Sequence, residues 1–188
     1  MEASVTTGKR NESGQALIEI AVLLPLLCIF ALGIVDVSRA VYDAEVIKNL
    51  SGEGSNLASR GTTLPNTVTA VTSDSDINIT SYGCVVVSAV TCTLNTEGQC
   101  TNAYVITGQA ISSACNGNTS RVGCYPVSQT CTAAATVPSQ VQTVLSTVPG
   151  YTVYATEVFF DYSSVTDLGN FLKTNNWLPT HLYSAAYY

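Results

Sequence analysis

The apolar residues of this chain form one long stretch near the N-terminus and several shorter segments after it. Residues 16–35 carry a single charged side chain, Glu19. A helix of this length spans about 30 Å, the thickness of a bilayer's hydrocarbon core. The stretch therefore predicts a transmembrane helix. An uneven apolar face over residues 40–59 predicts that the helix continues past the membrane, and Gly61 and Pro65 predict its end.

The pattern changes beyond a linker, where alternating or continuous β-branched and aromatic residues predict strands. These strands are expected at residues 77–82, 84–93, 152–162 and 177–188. Residues 138–148 place apolar side chains at helical spacing, and Ser164 with Asp167 predicts the cap of another short helix. Residues 93–138 lack periodicity, so loops held by disulfides are expected there.

The predicted fold class is therefore α+β. A long N-terminal transmembrane helix extends outward and is followed by a disulfide-stapled, antiparallel β-sheet domain.

The seven cysteines are distributed unevenly along the chain. Cys28 lies by itself in the apolar stretch and is expected to be a small packing residue. The others lack a Cys-x-x-Cys pair or a nearby His, so a zinc site is not expected. A clustered, even set of cysteines after a membrane segment instead predicts disulfides in an oxidising compartment, with the pairing left open. The disulfide candidates are Cys84, Cys92, Cys100, Cys115, Cys124 and Cys131.

The charge of the chain is low and acidic, with 11% charged residues and a net charge of −6 in 188 residues. Nucleic-acid binding is not expected, because it requires a basic patch. Lys9 and Arg10 precede the apolar stretch, whereas Asp36 and Asp43 follow it. The positive-inside rule then places the N-terminus in the cytoplasm and the remainder of the chain outside.

Two ordinary interpretations of the N-terminal segment remain open. A secretory signal cut after Ala40 would fit the sequence Ser38-Arg39-Ala40. However, the apolar stretch is longer than such signals usually have, and it contains Glu19 and Pro25. A plain signal anchor would leave the carboxylate at the membrane edge without a role.

A prepilin-type signal gives the carboxylate a role. Cleavage after Gly14 would make Gln15 the new N-terminus and place Glu19 one helical turn from the new amine. In a bundle of such helices, Glu19 of one subunit could meet the amine of a neighbour, and each charge would offset the desolvation cost of the other. An N-terminal Gln can also cyclise and lose its charge.

The residues around this site resemble the N-terminal signature of TadE-like pseudopilins of the Tad (Flp-type, type IVb) pilus family. The resemblance begins with Gly-Gln-Ala-Leu-Ile-Glu-Ile-Ala-Val-Leu-Leu-Pro-Leu-Leu at residues 14–27. It continues through residues 33–40, where Asp36 occupies a position that is often acidic in the family. Glu53-Gly54 and residues 58–61 are similar to the family's juxtamembrane helix.

The resemblance implies a pilin-like minor subunit or pseudopilin that is cleaved after Gly14 and takes part in pilus assembly and surface adhesion. Its implied partners are other pilin subunits, the pilus assembly machinery, the prepilin peptidase and the bacterial inner membrane. The implied location is the inner membrane with an extracytoplasmic C-terminal domain, and then the pilus at the cell surface. The alternative is a membrane-anchored or secreted disulfide-stapled binding module with no pilus role.

The expected organisation follows from this interpretation. Residues 1–14 form the leader, 15–60 the transmembrane and juxtamembrane helix, and 61–188 an extracytoplasmic β-rich domain with a cysteine-rich insertion at 84–131.

Enzymatic and metal-binding roles find little support in the sequence. His181 is the single His of the chain and falls in a predicted strand, where a structural role is more common than a catalytic one. Residues 74–78 begin like a calcium loop, but Ile79 replaces the required Gly and Val85 replaces the required Glu. No catalytic residue, metal site or cofactor is therefore predicted.

Overall fold

The long N-terminal helix α1 (Glu12–Ser59) runs without interruption through Pro25. The structure is a computed structural model and describes residues 12–112, 115, 117–124 and 134–188. Burial along α1 begins at Asp36 and recurs at Ala40, Asp43 and Ile47. A spacing of three and four residues produces a single buried stripe on a helix. The C-terminal half of α1 therefore packs on the domain, whereas the side chains of residues 16–32 are exposed.

A second helix, α2 (Leu64–Ser73), occupies the region predicted as a linker. Pro65 lies in its first turn, where the backbone N–H that proline lacks would have no helical partner in any case. This residue was predicted to mark the end of α1, and it also marks the start of α2. Leu64, Val68 and Val71 pack towards the core at helical spacing. The Thr and Val residues of α2 favour strands locally, which is why the sequence did not indicate a helix.

The strand predicted at residues 77–82 is also wrong, because the short helix α3 (Ile79–Tyr82) lies there. The side chain of Asn78 accepts a hydrogen bond from the Ser81 backbone N–H at 3.1 Å. This side-chain cap stabilises the helical turn against the β-branched residues that follow.

The sheet contains β1 (Gly83–Leu94), β2 (Cys100–Ile111), β3 (Thr152–Asp161) and β4 (His181–Tyr187). Their spatial order is β2-β1-β3-β4, and every neighbouring pair is antiparallel. β1, β3 and β4 overlap predicted strands, whereas β2 lies in the region predicted as loops. A tight turn joins β1 to β2, in which the Asn95 side chain accepts hydrogen bonds from the backbone N–H groups of Glu97 and Gln99.

Two further helices border the sheet, α4 (Ser139–Thr147) and α5 (Asp167–Thr174). Both lie where helices were predicted, but the predicted cap of α5 by Ser164 is wrong. Thr166 caps the helix, because its hydroxyl accepts a hydrogen bond from the Gly169 N–H at 3.1 Å. The hydroxyl of Ser164 lies 2.6 Å from Asn170 Oδ1 instead.

The sheet is covered on both faces. On one face, α1 and α2 pack against alternate residues of β1 and β3, in a cluster that includes Ile47, Leu50, Val71, Val85, Val87, Val158 and Phe160. On the other face, α4 and part of the cysteine-rich segment form a cluster that includes Val90, Ile106, Val122, Val141, Leu145 and Val153. The predicted α+β class is confirmed, with a long N-terminal apolar helix followed by a disulfide-bonded antiparallel sheet.

Gly54 explains how α1 lies so close to the sheet. A Cβ atom at this position would lie 2.7 Å from Thr156 Cγ2 on β3, closer than two carbon atoms can approach. Glycine is unfavourable within a helix by about 1 kcal/mol relative to Ala. Here the lost helix propensity permits a close contact between helix and sheet.

Candidate assembly site on the N-terminal helix

The apolar half of α1 is exposed along its whole length. Every side chain from Ala16 to Leu32 is exposed, including Leu17, Ile20, Phe30 and other large apolar residues. By length and composition, α1 is long and apolar enough to cross a membrane. Contiguous apolar surfaces of this size are covered by lipid or by other protein in the functional state. This half of the helix is therefore the first candidate for a functional surface.

The residues predicted for processing and assembly lie together near the start of this surface. Gly14 is exposed, and a Cβ atom added to it would meet nothing within 4 Å. Glu19 is also exposed and lies about 6 Å further along the helix axis than Gln15, since each residue rises about 1.5 Å. The Gly14–Gln15 bond has helical backbone geometry, so cleavage at this bond would require the helical turn to open.

Asp36 connects the end of the apolar stretch to α5. Its Oδ1 atom accepts hydrogen bonds from the backbone N–H groups of Val165 at 2.8 Å and Thr166 at 3.2 Å. Its other carboxylate oxygen accepts a hydrogen bond from the Thr166 hydroxyl. Asp36 has no exposed surface. A fully buried carboxylate is stable only when it is well hydrogen-bonded, and here the start of α5 supplies the donors.

Neighbouring contacts strengthen this connection. The Tyr162 hydroxyl donates a hydrogen bond to the Asp36 backbone carbonyl at 2.8 Å, and Tyr162 packs with Ala40 and Leu178. Lys173 Nζ donates to the Tyr162 carbonyl at 2.6 Å. The space beside Asp36 is so limited that a Cβ at Gly169 would lie 2.4 Å from the Asp36 carboxyl carbon. α1 and α5 are thus joined through a buried contact rather than a loose surface contact.

A second buried carboxylate, Glu157, lies in the middle of β3 and holds part of the cysteine-rich segment against the sheet. It accepts hydrogen bonds from the Arg121 backbone N–H at 2.8 Å, the Tyr183 hydroxyl at 2.9 Å and the Ser120 hydroxyl. The Arg121 guanidinium also lies over the Tyr183 ring, 3.8 Å from its centroid. Burial raises the pKa of Tyr183, and the Glu157 carboxylate raises it further. The tyrosine therefore remains a hydrogen-bond donor in neutral and mildly alkaline solution.

Disulfides join the same segment to the strands. Cys84 is bonded to Cys115 with a Cα–Cα distance of 5.0 Å, and Cys92 is bonded to Cys100 across the β1–β2 turn at 5.7 Å. Cys124 is also disulfide-bonded. Cys131 lies outside the described residues. Together with Glu157, the Cys84–Cys115 bond fastens the segment to the face of the sheet opposite α1, whereas the Cys92–Cys100 bond joins β1 to β2.

The two other residues singled out in the sequence, Cys28 and His181, do not belong to a cluster of functional side chains among the described residues. Cys28 is a free, exposed thiol on the apolar half of α1. His181 Nδ1 lies 2.6 Å from Asp161 Oδ1 at the start of β4, in an exposed pair. Within the part of the chain that the structure describes, no group of three His, Cys, Asp or Glu side chains is placed to hold a metal ion.

The hydrogen-bonding roles of Asp36 and Glu157 are not predicted by the sequence. In the sequence, Asp36 is a charge after the apolar stretch and matches a position that is often acidic in the resembled family, but neither observation indicates what it binds. For Glu157 a signal existed, because a lone carboxylate among the apolar residues of a predicted strand must find donors when it is buried. The sequence could not indicate where those donors lie.

Comparison with known proteins supports the resemblance at the N-terminus. Residues 14–55 match the family model described as TadE-like protein, which is less than a quarter of the chain. The match begins at Gly14 and includes Glu19, Asp36 and Gly54. No match was found among curated proteins or among solved structures. The predicted resemblance to TadE-like proteins is confirmed over these residues.

Proposed function

We propose that this protein is a Tad-like minor pilin or pseudopilin, which a prepilin peptidase cleaves after Gly14. In this proposal its first helix holds it in the inner membrane, and it then takes part in pilus assembly and surface adhesion through its outward-facing domain. The observation that carries the proposal is the match of residues 14–55 to TadE-like proteins on a continuous helix whose apolar half is exposed. The role is structural, without catalysis.

The two halves of α1 suit a subunit that moves from a membrane into an assembly. The half that packs on the sheet keeps the domain folded in either setting, because its buried stripe is satisfied within the chain. The apolar half needs a cover, which lipid provides before assembly and the helices of other subunits provide afterwards. The same surface thus serves both states without refolding of the domain.

Gly14 suits the proposed cleavage for two physical reasons. Its lack of a side chain lets a peptidase bring its own backbone close to the scissile bond. In addition, Gly makes the local helix about 1 kcal/mol less stable than Ala would, so the turn opens more readily for cleavage. The new amine of Gln15 would then lie one turn before Glu19, where a carboxylate from a neighbouring subunit can pair with it.

The structure also bears on the alternative of a secreted binding module cut after Ala40. Such a cut would remove Asp36, and with it the acceptor for the N–H groups of Val165 and Thr166. It would also separate Ala40 from the rest of its buried stripe on α1. The released domain would begin with a damaged junction, so the pilin interpretation is favoured.

Mass spectrometry of the mature N-terminus tests the proposal directly. We expect a chain that begins at Gln15, either intact or lighter by one ammonia after cyclisation. A start at Val41 would support the secreted module, and an intact Met1 would support a plain anchor; both results would contradict the proposed processing.

A substitution at the cleavage site gives the matched test. We expect Gly14→Ala to leave most of the protein as an uncut precursor in a host that supplies the peptidase. Gly52→Ala is the control, because a Cβ at Gly52 also meets nothing within 4 Å but lies far from the cleavage site on the same helix. The control should be cut like the unmodified chain, and normal cutting of Gly14→Ala would dispose of the proposed role of Gly14.

A further inference from the structure

An apolar groove separates the last turns of α1's apolar stretch from α5. Its volume is about 510 Å³, and its walls include Phe30, Ile34, Leu168, Phe171, Leu172 and Trp177. Apart from the indole N–H of Trp177, Ser38 supplies the one polar side-chain group among the described residues that line it. The groove therefore offers almost nothing to a polar or charged ligand.

The groove is fixed in position relative to α1. The hydrogen bonds from Val165 and Thr166 to Asp36 hold the start of α5 beside the end of the apolar stretch. Leu168 lies against the same helix, because a Cβ at Gly33 would be 3.7 Å from its Cδ2 atom. At the other end of α5, the Trp177 backbone N–H donates to the Leu172 carbonyl at 2.9 Å. The helix and the residues that follow it thus form one supported unit.

The position of the groove along α1 sets how deep in a bilayer its side chains would lie. Phe30 and Ile34 lie in the last two turns of the stretch that spans about 30 Å. If that stretch crosses a bilayer, these two residues lie within the leaflet on the side of the sheet domain. Side chains that share a groove with them must reach the same depth.

The side chains at that depth are large, apolar and exposed. Trp177 is 77% exposed and Phe171 is 61% exposed. These side chains adjoin the exposed apolar surface of α1, and large contiguous apolar patches are unusual on a surface in contact with water. Trp is enriched at the boundary between headgroups and acyl chains, where its apolar ring and its N–H group are both accommodated.

We propose that α5 and Trp177 form a second membrane contact, seated in the interfacial region of the leaflet next to the sheet domain. Lipid fills the groove between them and α1. Lipid is favoured over a second copy of this chain because the groove continues the exposed apolar surface of α1 without a charged lining residue. The contact would fix the orientation of the domain on the membrane. It requires a membrane-spanning α1 but neither cleavage nor a pilus.

The chain contains a single Trp, so the native protein carries its own reporter. The full-length chain is reconstituted at high dilution into phosphatidylcholine vesicles whose lipids are brominated close to the headgroup, and into unbrominated vesicles. We expect Trp177 emission to be blue-shifted in both and to be strongly quenched in the brominated vesicles. Emission at the wavelength of a water-exposed Trp, with no loss in brominated lipid, would overturn the proposal.

A matched reporter at the opposite end of the domain provides the control. In the double variant Trp177→Phe with Tyr151→Trp, the single Trp directly precedes β3, and Tyr162, which contacts Asp36, directly follows the other end of β3. A strand of this length separates the two ends by about 33 Å. We expect this Trp to be quenched by aqueous acrylamide and not by brominated lipid, and lipid quenching there would mean that the assay does not report depth.

The protein-to-lipid ratio distinguishes lipid from a second copy. If Trp177 becomes shielded only at high protein density and is never quenched by brominated lipid, the groove is filled by another subunit and the proposal is wrong. Because the experiment gives the same reading with cut and uncut protein, a failure of the proposed processing after Gly14 would not affect its result.

Discussion

Asp36 and Glu157 have the same physical role at different places in the molecule. Each is a buried carboxylate whose negative charge is compensated by hydrogen-bond donors from a distant segment. The Val165 N–H that binds Asp36 lies 129 residues further along the chain. A local pattern contains no information about such a partner. An assembly role for Glu19 can be proposed from the sequence alone, because its argument needs only its neighbours: Gly14, the apolar stretch and a helical turn.

Removal of the Asp36 carboxylate should release α5 from α1. We expect Asp36→Ala to lower the free energy of unfolding by about 2–4 kcal/mol, since three partly buried donors would lose their acceptor and the contact between α1 and α5 would lose its hydrogen bonds. Hydrogen exchange in detergent should increase first at the amides of Val165 and Thr166. The emission of nearby Trp177 should change at the same time.

Two control variants test whether the effect of Asp36→Ala comes from the lost carboxylate. Asp36→Asn retains one oxygen that can accept the two backbone hydrogen bonds, so its loss of stability should be smaller. Asp76→Ala removes an exposed carboxylate and should leave the amides of residues 165 and 166 unchanged. If exchange at these amides stays slow in Asp36→Ala, the carboxylate does not hold α5 in place.

Local pattern succeeds for some helices and strands of this protein and fails for others. It predicts α1, α4, β1, β3 and β4 because their apolar spacing matches their own geometry. It misses β2, whose Thr101, Asn102, Thr107 and Gln109 obscure the alternation of apolar residues. The stability of β2 comes from pairing with β1 and from the Cys92–Cys100 disulfide, which a single segment cannot reveal. It also misses α2, where β-branched residues outweigh a helical spacing of only three apolar positions.

The Glu157 contacts predict how firmly the cysteine-rich segment is held. We expect Glu157→Gln to loosen residues 117–124 and to cost about 1–3 kcal/mol, because an amide cannot accept from the same donors with both of its terminal atoms. Hydrogen exchange at the Arg121 amide should become faster, while the disulfides keep the segment attached. The pKa of Tyr183 should fall towards its usual range, because the neighbouring negative charge is lost.

Glu97→Gln is the matched control for this change. Glu97 is exposed in the turn between β1 and β2, so the same substitution there should alter neither exchange at Arg121 nor overall stability. Equal protection of the Arg121 amide in Glu157→Gln and the unmodified chain would show that the disulfides hold the segment without the carboxylate.

The whole molecule combines a helix with two different environments and a sheet that is covered on both faces. The sequence predicts this α+β plan, because the apolar stretch, the β-branched segments and the clustered cysteines are all local signals. It does not predict that α5 lies beside the end of the apolar stretch, since that depends on Asp36 reaching across the fold. The candidate surfaces divide in the same way: Gly14, Gln15 and Glu19 are proposed from the sequence alone, whereas the groove beside Trp177 is visible only in the structure.

The proposed assembly role depends finally on Glu19. We expect Glu19→Ala to fold and to be cut after Gly14, because the residue is exposed and burial on α1 begins only at Asp36. Its incorporation into pili should fall by at least about tenfold, since a lost pairing of only 1.4 kcal/mol already gives that factor. Immunoblots of sheared pili and of the membrane fraction measure both quantities. Glu45→Ala changes an exposed carboxylate on the same helix and should be incorporated normally. Equal amounts of Glu19→Ala and unmodified protein in the pili would mean that the register of assembly is set elsewhere on α1.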